Sequence, residues 1–497
     1  MTLDMHITDK NNKTVVTPKN IRPTQLIGQK PKKKSKWWVW VIISILVIIF
    51  GGLGYIVYKG IDLSKKIGLN LNAGSLITEK QPELEKDSTG KYTNFLIVGI
   101  DTRPDQGGLN TDTMIVVSYN YDTNTIDMVS IPRDLSVEIN NSGWYNKINS
   151  VYASAENKEK GTGMSALQQT VTKLTGIDIQ YYALVNYQAF LDLIDAVGGI
   201  DINVPVAFTD TCYPADSSKD TGAHYGWCID SEGWWKTVSF DTGVQHMDGK
   251  TALEYARSRH GEFSTGKDVT DFGRAIHQQE VIMAVKDKIL NTSTLTSPKS
   301  IMAIISSIAD NITTSGFTIN DIQAGLNMAK NFSDNNGKQY SFVLDLEAGN
   351  KQLIANISTY DENGTLTAYL IGPKLGLGKY SDIHEYIQDI LDKPELYSEK
   401  PLIYVYDSGL GYQETYQKTK DLQNQYPFIS IVFGGSTKYD ENGDYIYSDD
   451  TESTYPVTIE EFANTLNITN KTKPDFVTTN LYGDVTILLG KQTQTEE

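Results

Sequence analysis

The stretch WWVWVIISILVIIFGGLGYIVY, residues 37–58, constrains the chain more than any other. It runs for 22 residues without a charge, and Ser44 is its one small polar side chain. At about 1.5 Å rise per residue, a helix of that length crosses a hydrocarbon layer of about 30 Å. Trp37, Trp38 and Trp40 at one end and Tyr55 and Tyr58 at the other match the aromatic belts of a membrane interface. A cleaved leader fits poorly, because the preceding tail is long and no small-residue cleavage site follows. Lys30, Lys32, Lys33, Lys34 and Lys36 come just before the span, and positive charge stays in the cytoplasm. The expectation is a single-pass protein of the cell membrane. Residues 1–36 form a basic cytoplasmic tail, residues 37–58 a transmembrane helix, and the main domains are extracellular.

The whole chain, at 497 residues, is too long for one ordinary domain, and 39% apolar residues supply a substantial core. Residues 59–91 are polar and read as a stalk. Then YTNFLIVGID, TDTMIVVSYN and NTIDMVSIPRD read as strands, with NYDTNT as the hairpin turn between the second and third. Near-continuous apolar runs suit strands covered on both faces. Met164, Leu167, Val171 and Leu174 recur at helical spacing and stop at Gly176. Phe190, Leu193, Ile194 and Val197 do the same before Gly198-Gly199. Further helices are expected over 273–290, 299–311, 318–332 and 381–392, with strands between them. Strands alternating with helices predict an α/β fold, α-β-α layers around a central mixed sheet, over residues 92–392. The pattern restarts after LDKPELYSEKP, giving a small C-terminal α/β domain over 400–490. Strands are expected there at LIYVYD, FISIVFGG, PDFVTTN and DVTILLG.

Arginine is used sparingly. The chain has six, against 38 lysines, in a sequence of formal charge −17. Arg22 is in the tail; Arg103, Arg133, Arg257, Arg259 and Arg274 are all in the first outward domain. Arg103 and Arg133 lie just past strand ends, where ligands bind in open α/β sheets. Arg257 and Arg259 share a face if their stretch is extended. Arg274 opens a helix, whose N-terminus favours anions. The planar guanidinium fork matches phosphate oxygens, so this set suits a phosphate or pyrophosphate clamp. Structural salt bridges, such as Arg257 with Glu254 or Glu262, are the plainer account of any one arginine. Asp101 follows the first strand and Asp112 precedes the second. Two carboxylates at one sheet edge beside phosphates suit Mg2+, although each also fits a turn or cap. Asp271 caps the helix of Arg274 equally well. Cys212 and Cys228 lie on the outward side, where disulfides persist, and either bridge a short loop or stay as thiols.

The motifs FLIVGIDTR, TDTMIVVSYN, MVSIPRDLSVEI, KINSVYA, VGGIDINVP, MDGKTALEYARSR and DFGRAIHQQ occur in an order that resembles the LytR-CpsA-Psr family. The likeness covers roughly residues 92–290, and the last 95 residues more weakly resemble a LytR-type C-terminal domain. The resemblance implies a phosphotransferase of a Gram-positive type envelope. Such a protein moves a glycopolymer, a teichoic acid or capsular polysaccharide, from a polyprenyl-pyrophosphate lipid to peptidoglycan through a phosphodiester. By the same resemblance, Asp101 and Asp112 hold Mg2+. Arg103, Arg133, Arg257, Arg259, Arg274 and Gln278 bind the pyrophosphate. Asp271 is the base for the acceptor hydroxyl, with Arg133, Arg257 and Arg259 supporting the chemistry. His277 departs from the pattern, standing where arginine is usual. The long insertion at 207–245 carries both cysteines and Trp227, Trp234 and Trp235; it forms a sugar-facing lid or packs locally. An apolar slot for the lipid tail is expected near Phe190, Leu193, Ile194 and Ile282.

Two other classes stay open at sequence level. One is a non-catalytic membrane scaffold or regulator, and the other is a hydrolase of the same pyrophosphate lipid. Nucleic-acid binding is disfavoured by the acidic charge and the lack of a basic helix. No G-x-S-x-G elbow or phosphate-binding glycine loop with Lys-Ser/Thr is present.

Overall fold

The computed structural model describes residues 83–100, 108–140, 142–215, 235–258, 261–263, 271–291, 311–315, 319–345, 347–360, 366–368, 370–439, 443–449, 454–478 and 481–491. The expected span at 37–58 and all but the last residue of the helix expected at 299–311 lie outside these residues. Among the described residues no helix is long and apolar enough to cross a membrane.

The first domain opens with β1 (Tyr92–Ile100), β2 (Thr111–Asn120) and β3 (Thr125–Ser130). The hairpin turn between β2 and β3 ends on Asn124 at φ 56°, a left-handed position that asparagine tolerates. A short hairpin follows, β4 (Ser136–Glu138) and β5 (Tyr145–Lys147), then α1 (Ser150–Lys158) and α2 (Gly163–Thr175). Gly176 caps α2 at φ 76°, as its position after the apolar stripe predicts. Next come β6 (Tyr181–Asn186), α3 (Tyr187–Ala196), β7 (Ile200–Val204), β8 (Phe208–Pro214), β9 (Trp235–Phe240) and β10 (Gly243–Met247). They are followed by α4 (Gly249–Arg257), β11 (Gly261–Phe263), α5 (Asp271–Asn291), β12 (Ile312–Thr314), α6 (Ile319–Asp334) and β13 (Lys338–Val343).

The central sheet has six strands in the order β12-β6-β1-β2-β3-β13. It is mixed: β1 runs parallel to β6 and antiparallel to β2, while β3 runs parallel to β13. The carboxyl ends of β1, β3, β6 and β13 therefore share one edge with the start of β2. Alternate residues of β1 enter different cores. Leu96, Val98 and Ile100 meet Leu167, Val171 and Leu174 of α2, while Phe95 packs with Ala324, Met328 and Phe332 of α6. That alternation places helices on both faces of the sheet, the layering that the apolar strand runs predict. A second core joins α3, α4 and α5 to β7–β10 through Ile194, Ile200, Phe208, Phe240, Tyr255 and Val281. Ile194 is fully buried in it, with Phe190 and Leu193 against its side. Ile194 is packed core here, while Phe190 and Leu193 are only partly buried at its edge.

The chain then forms α7 (Ser381–Asp392) and α8 (Pro394–Glu399) and enters a second sheet. Its elements are β14 (Leu402–Ser408), α9 (Tyr412–Gln425), β15 (Ser430–Ser436), β16 (Tyr445–Tyr447), α10 (Pro456–Leu466) and β17 (Val485–Gly490). The strand order is β15-β14-β17-β16, with β16 the antiparallel edge. PDFVTTN, expected as a strand, instead turns at Pro474–Val477, where Val477 N–H donates to the Pro474 carbonyl (3.0 Å). Residues of both sheets share one apolar cluster, which runs from Leu96 through Ile387 and Leu396 to Ile403 and Val485.

Candidate functional site

Four of the expected site residues meet in one pocket. Asp112, Arg133, Arg274 and Gln278 line it together with Thr113, Ser130, Asp134 and Val343, around about 490 Å³ of empty volume open to solvent. It lies at the sheet edge where β3 and β13 end and β2 begins. Arg133 Nη1 donates to Asp112 Oδ1 at 2.8 Å. Arg133 Nε also lies 3.6 Å from Asp134 Oδ2, and Lys147 Nζ is 2.5 Å from Asp134 Oδ1. Asp134 is buried between two cations, so it fixes the Arg133 guanidinium while Lys147 offsets part of its charge.

The backbone adds a second restraint. Asn149 N–H donates to the Arg133 carbonyl (3.2 Å), and the Asn149 carbonyl accepts from Thr111 N–H (3.1 Å). One residue at the start of α1 thus ties the loop of Arg133 to the strand of Asp112. Asp134, Lys147 and Asn149 are absent from the sequence-based site. The signal available was their place in MVSIPRDLSVEI and KINSVYA, and their role as braces depends on contacts across the hairpin.

Asp101, Arg103 and Arg259 lie outside the described residues, as does the side chain of Asp271. Their neighbours are placed: Ile100 pairs with Thr111, so the residues just before Asp101 and Asp112 face each other across β1 and β2. Asp112 itself is inside β2 rather than ahead of it. Arg274 sits in the first turn of α5 and is buried. There its charge shares the pocket with the carboxyl ends of the parallel strands.

Arg257 stands apart from the pocket lining. Residues 253–257 are helical rather than extended, and Arg257 is the last residue of α4. Its guanidinium lies over the ring of Tyr187 (4.7 Å to the centroid) and that of Tyr213 (5.7 Å). Gln278 Nε2 reaches the Ala256 carbonyl at 3.5 Å, so the end of α4 adjoins the pocket through Gln278.

His277 is a buried core aromatic and no anion contact. Its ring stacks on Tyr255 (4.4 Å between centroids) and on Phe208 (5.0 Å). Burial pushes its pKa down to about 4, against a smaller opposing effect of a backbone hydrogen bond at Tyr255. Its Nδ1 has no hydrogen-bond partner. The described part of the 207–245 insertion is likewise closed: β8 pairs with β9 and β11, and Trp235 is buried rather than offered to a sugar. Cys212 is disulfide-bonded; Cys228, the other cysteine of the sequence, lies outside the described residues.

A fold with this site at the carboxyl edge of a mixed sheet agrees with the motif order read from the sequence. The model of the LytR_cpsA_psr family matches residues 63–364. The chain belongs to the LytR-CpsA-Psr family. Among curated relatives, it is 31% identical over 288 residues to the Bacillus cereus polyisoprenyl-teichoic acid–peptidoglycan teichoic acid transferase TagU, covering 57% of this chain and 80% of that one. The protein of the same name from Bacillus subtilis is 31% identical over 279 residues, 54% of this chain and 74% of that one. A solved structure, that of B. subtilis TagV, matches with a TM-score of 0.40 and 24% identity, covering 62% of this chain and 99% of that chain. The family match takes in every candidate site residue, from Asp101 to Gln278, and leaves the second sheet outside it.

Proposed function

We propose that this protein transfers a phosphorylated glycopolymer from a polyprenyl-pyrophosphate carrier to a hydroxyl of peptidoglycan. The observation that carries the reading is the pocket in which Arg133, Arg274, Asp112 and Gln278 converge. The names of the TagU relatives, teichoic acid transferases acting on peptidoglycan, support the substrate class.

The acceptor hydroxyl oxygen bonds to the phosphorus that bears the glycan. The bond from that phosphorus to the bridging oxygen breaks, polyprenyl phosphate leaves, and the hydroxyl proton passes to the Asp271 carboxylate. Phosphoryl transfer of this kind needs positioning and charge neutralisation more than covalent help from the protein. Arg133 and Arg274 hold the pyrophosphate oxygens, and Gln278 donates beside them. The family resemblance assigns Arg103, Arg257 and Arg259 to the same anion, and of these Arg257 adjoins the pocket through Gln278 rather than lining it. Asp134 and Asn149 keep Arg133 in place before the substrate arrives, which reduces reorganisation during the reaction.

The residues fit Mg2+. Asp112 brings a hard oxygen donor to the pocket. Magnesium commonly takes one or two carboxylates and completes its shell with substrate phosphate and water. Asp101 and Asp112 would hold it, and its charge would offset that of the pyrophosphate. The apolar run at 37–58 and the lysines before it support a membrane anchor that keeps the pocket on the outer face, near its lipid.

The test supplies the full chain in detergent with a polyprenyl-pyrophosphate oligosaccharide, peptidoglycan and Mg2+. A new phosphodiester on peptidoglycan is expected, and Arg274→Ala should lower transfer roughly 100- to 1,000-fold. Release of phosphorylated oligosaccharide into water, with none on peptidoglycan, would identify a hydrolase. Unaltered transfer in both Arg133→Ala and Arg274→Ala would remove the pocket from the reaction.

A further inference from the structure

Four consecutive residues of α5, His277 to Glu280, fasten the helix in two directions. Toward α4, Tyr255 Oη donates to Glu280 Oε2 at 2.5 Å, His277 stacks on the same tyrosine, and Gln278 reaches Ala256. Toward the sheet there is Gln279, which is buried. Its Nε2 donates to Ser130 Oγ at 2.8 Å and to the Phe342 carbonyl at 3.0 Å. Ser130 closes β3 and Phe342 is the penultimate residue of β13, so a single amide spans the ends of two neighbouring strands. Ser130 and Val343, at those same ends, line the pocket. Arg133 is three residues beyond Ser130, and Arg274 lies five residues before Gln279 on the helix.

From this geometry we infer that Gln279 is a positioning residue, whose amide fixes the rotation and height of α5 against the sheet edge and so the spacing of Arg274 and Gln278 from Arg133. A helix turns by about 100° per residue, so a small roll of α5 would swing Arg274 out of line with a bound diphosphate. Apolar packing resists such a roll weakly, because it has no direction; two donors aimed at fixed acceptors resist it strongly. A methionine at 279 fills nearly the same space and donates nothing. The inference rests on reading the pocket as the pyrophosphate site.

Inorganic pyrophosphate is the probe, titrated by calorimetry into the full chain in detergent with Mg2+ present. Gln279→Met should weaken binding about 10- to 100-fold, the scale expected when charged groups shift by about 1 Å. In an Arg274→Lys background the same change should cost much less, because the partner it positions is already altered. Ser130→Ala removes one of the two bonds and should weaken binding about twofold to tenfold. It carries the test if Gln279→Met fails to fold. Equal losses in both backgrounds, or unchanged affinity in both variants, would overturn the positioning role. A wild-type chain that binds no pyrophosphate would overturn the pocket reading itself and this inference with it. A wild type that binds and transfers while Gln279→Met matches it would overturn the positioning role alone.

Discussion

At the scale of a single residue, Asp127 couples stability to pH. It is fully buried in β3, accepts one bond from Thr125 Oγ1 (3.1 Å), and leaves Oδ1 without a partner. Burial raises its pKa from 3.8 to about 7, the Thr125 bond only partly opposing. A carboxyl group raised in the folded state stabilises least when charged: its contribution is full below the unfolded value and is lost as pH rises through about 7. Asp127→Asn should therefore raise the unfolding midpoint at pH 8 and change it little at pH 4, a difference on the order of 4 kcal/mol in denaturant titrations. His277 has the opposite sense. Its pKa is depressed to about 4, so stability present above the unfolded value near 6.5 drains as pH falls toward 4. His277→Phe, which keeps the stack on Tyr255 and Phe208, should flatten that acid limb in thermal melts between pH 6.5 and 4.

At the scale of elements, α4 is the arm that carries Arg257. Asp248 caps it, with Oδ1 accepting from Thr251 N–H at 2.8 Å, and that bond holds the Asp248 carboxyl below its ordinary range. Gly249 follows because a Cβ there would press on the Leu191 carbonyl of α3. Asp248→Ala should cost about 1 kcal/mol, read as a shifted denaturant midpoint. Because the cap lies at the far end of α4 from Arg257, pyrophosphate affinity should fall far less than with Arg274→Ala. The alternating strands, the helix stops at Gly176 and the paired glycines, and the β2–β3 turn were all legible from periodicity and turn chemistry. The helix α4 was not. Its stretch, GKTALEYAR, is short and the arginine pair at its end suited an extended reading, although Ala252, Tyr255 and Ala256 form a buried face and Asp248 caps it.

For the whole molecule, the shared apolar cluster couples the two sheets. At one junction, Asn350 N–H donates to the Pro427 carbonyl (3.1 Å) and Asn350 Oδ1 accepts from Ile431 N–H (3.2 Å). Gly349, at φ 60°, lies so close to the Phe428–Ile429 peptide that any Cβ would overlap it. Gly349→Ala should force this contact apart. The wild type should unfold in one calorimetric transition, and the variant should show an earlier, separate one for residues 400–490. A variant melting as a single transition at the wild-type temperature would show that the junction contributes nothing to cooperativity.

By itself the sequence determined most strands and helices of the α/β layers, the expectation of a membrane anchor, and the concentration of arginines in one domain. These are local or periodic properties, written in neighbouring residues. Only the tertiary structure decided that Arg133, Arg274, Asp112 and Gln278 share a pocket, that Arg257 packs on tyrosines beside it, and that His277 is neutral core. It also supplied the braces Asp134, Asn149 and Gln279. Those facts depend on strand order, register and burial, which bring together residues far apart in the chain and set the charge each can carry, and no spacing along the sequence encodes them.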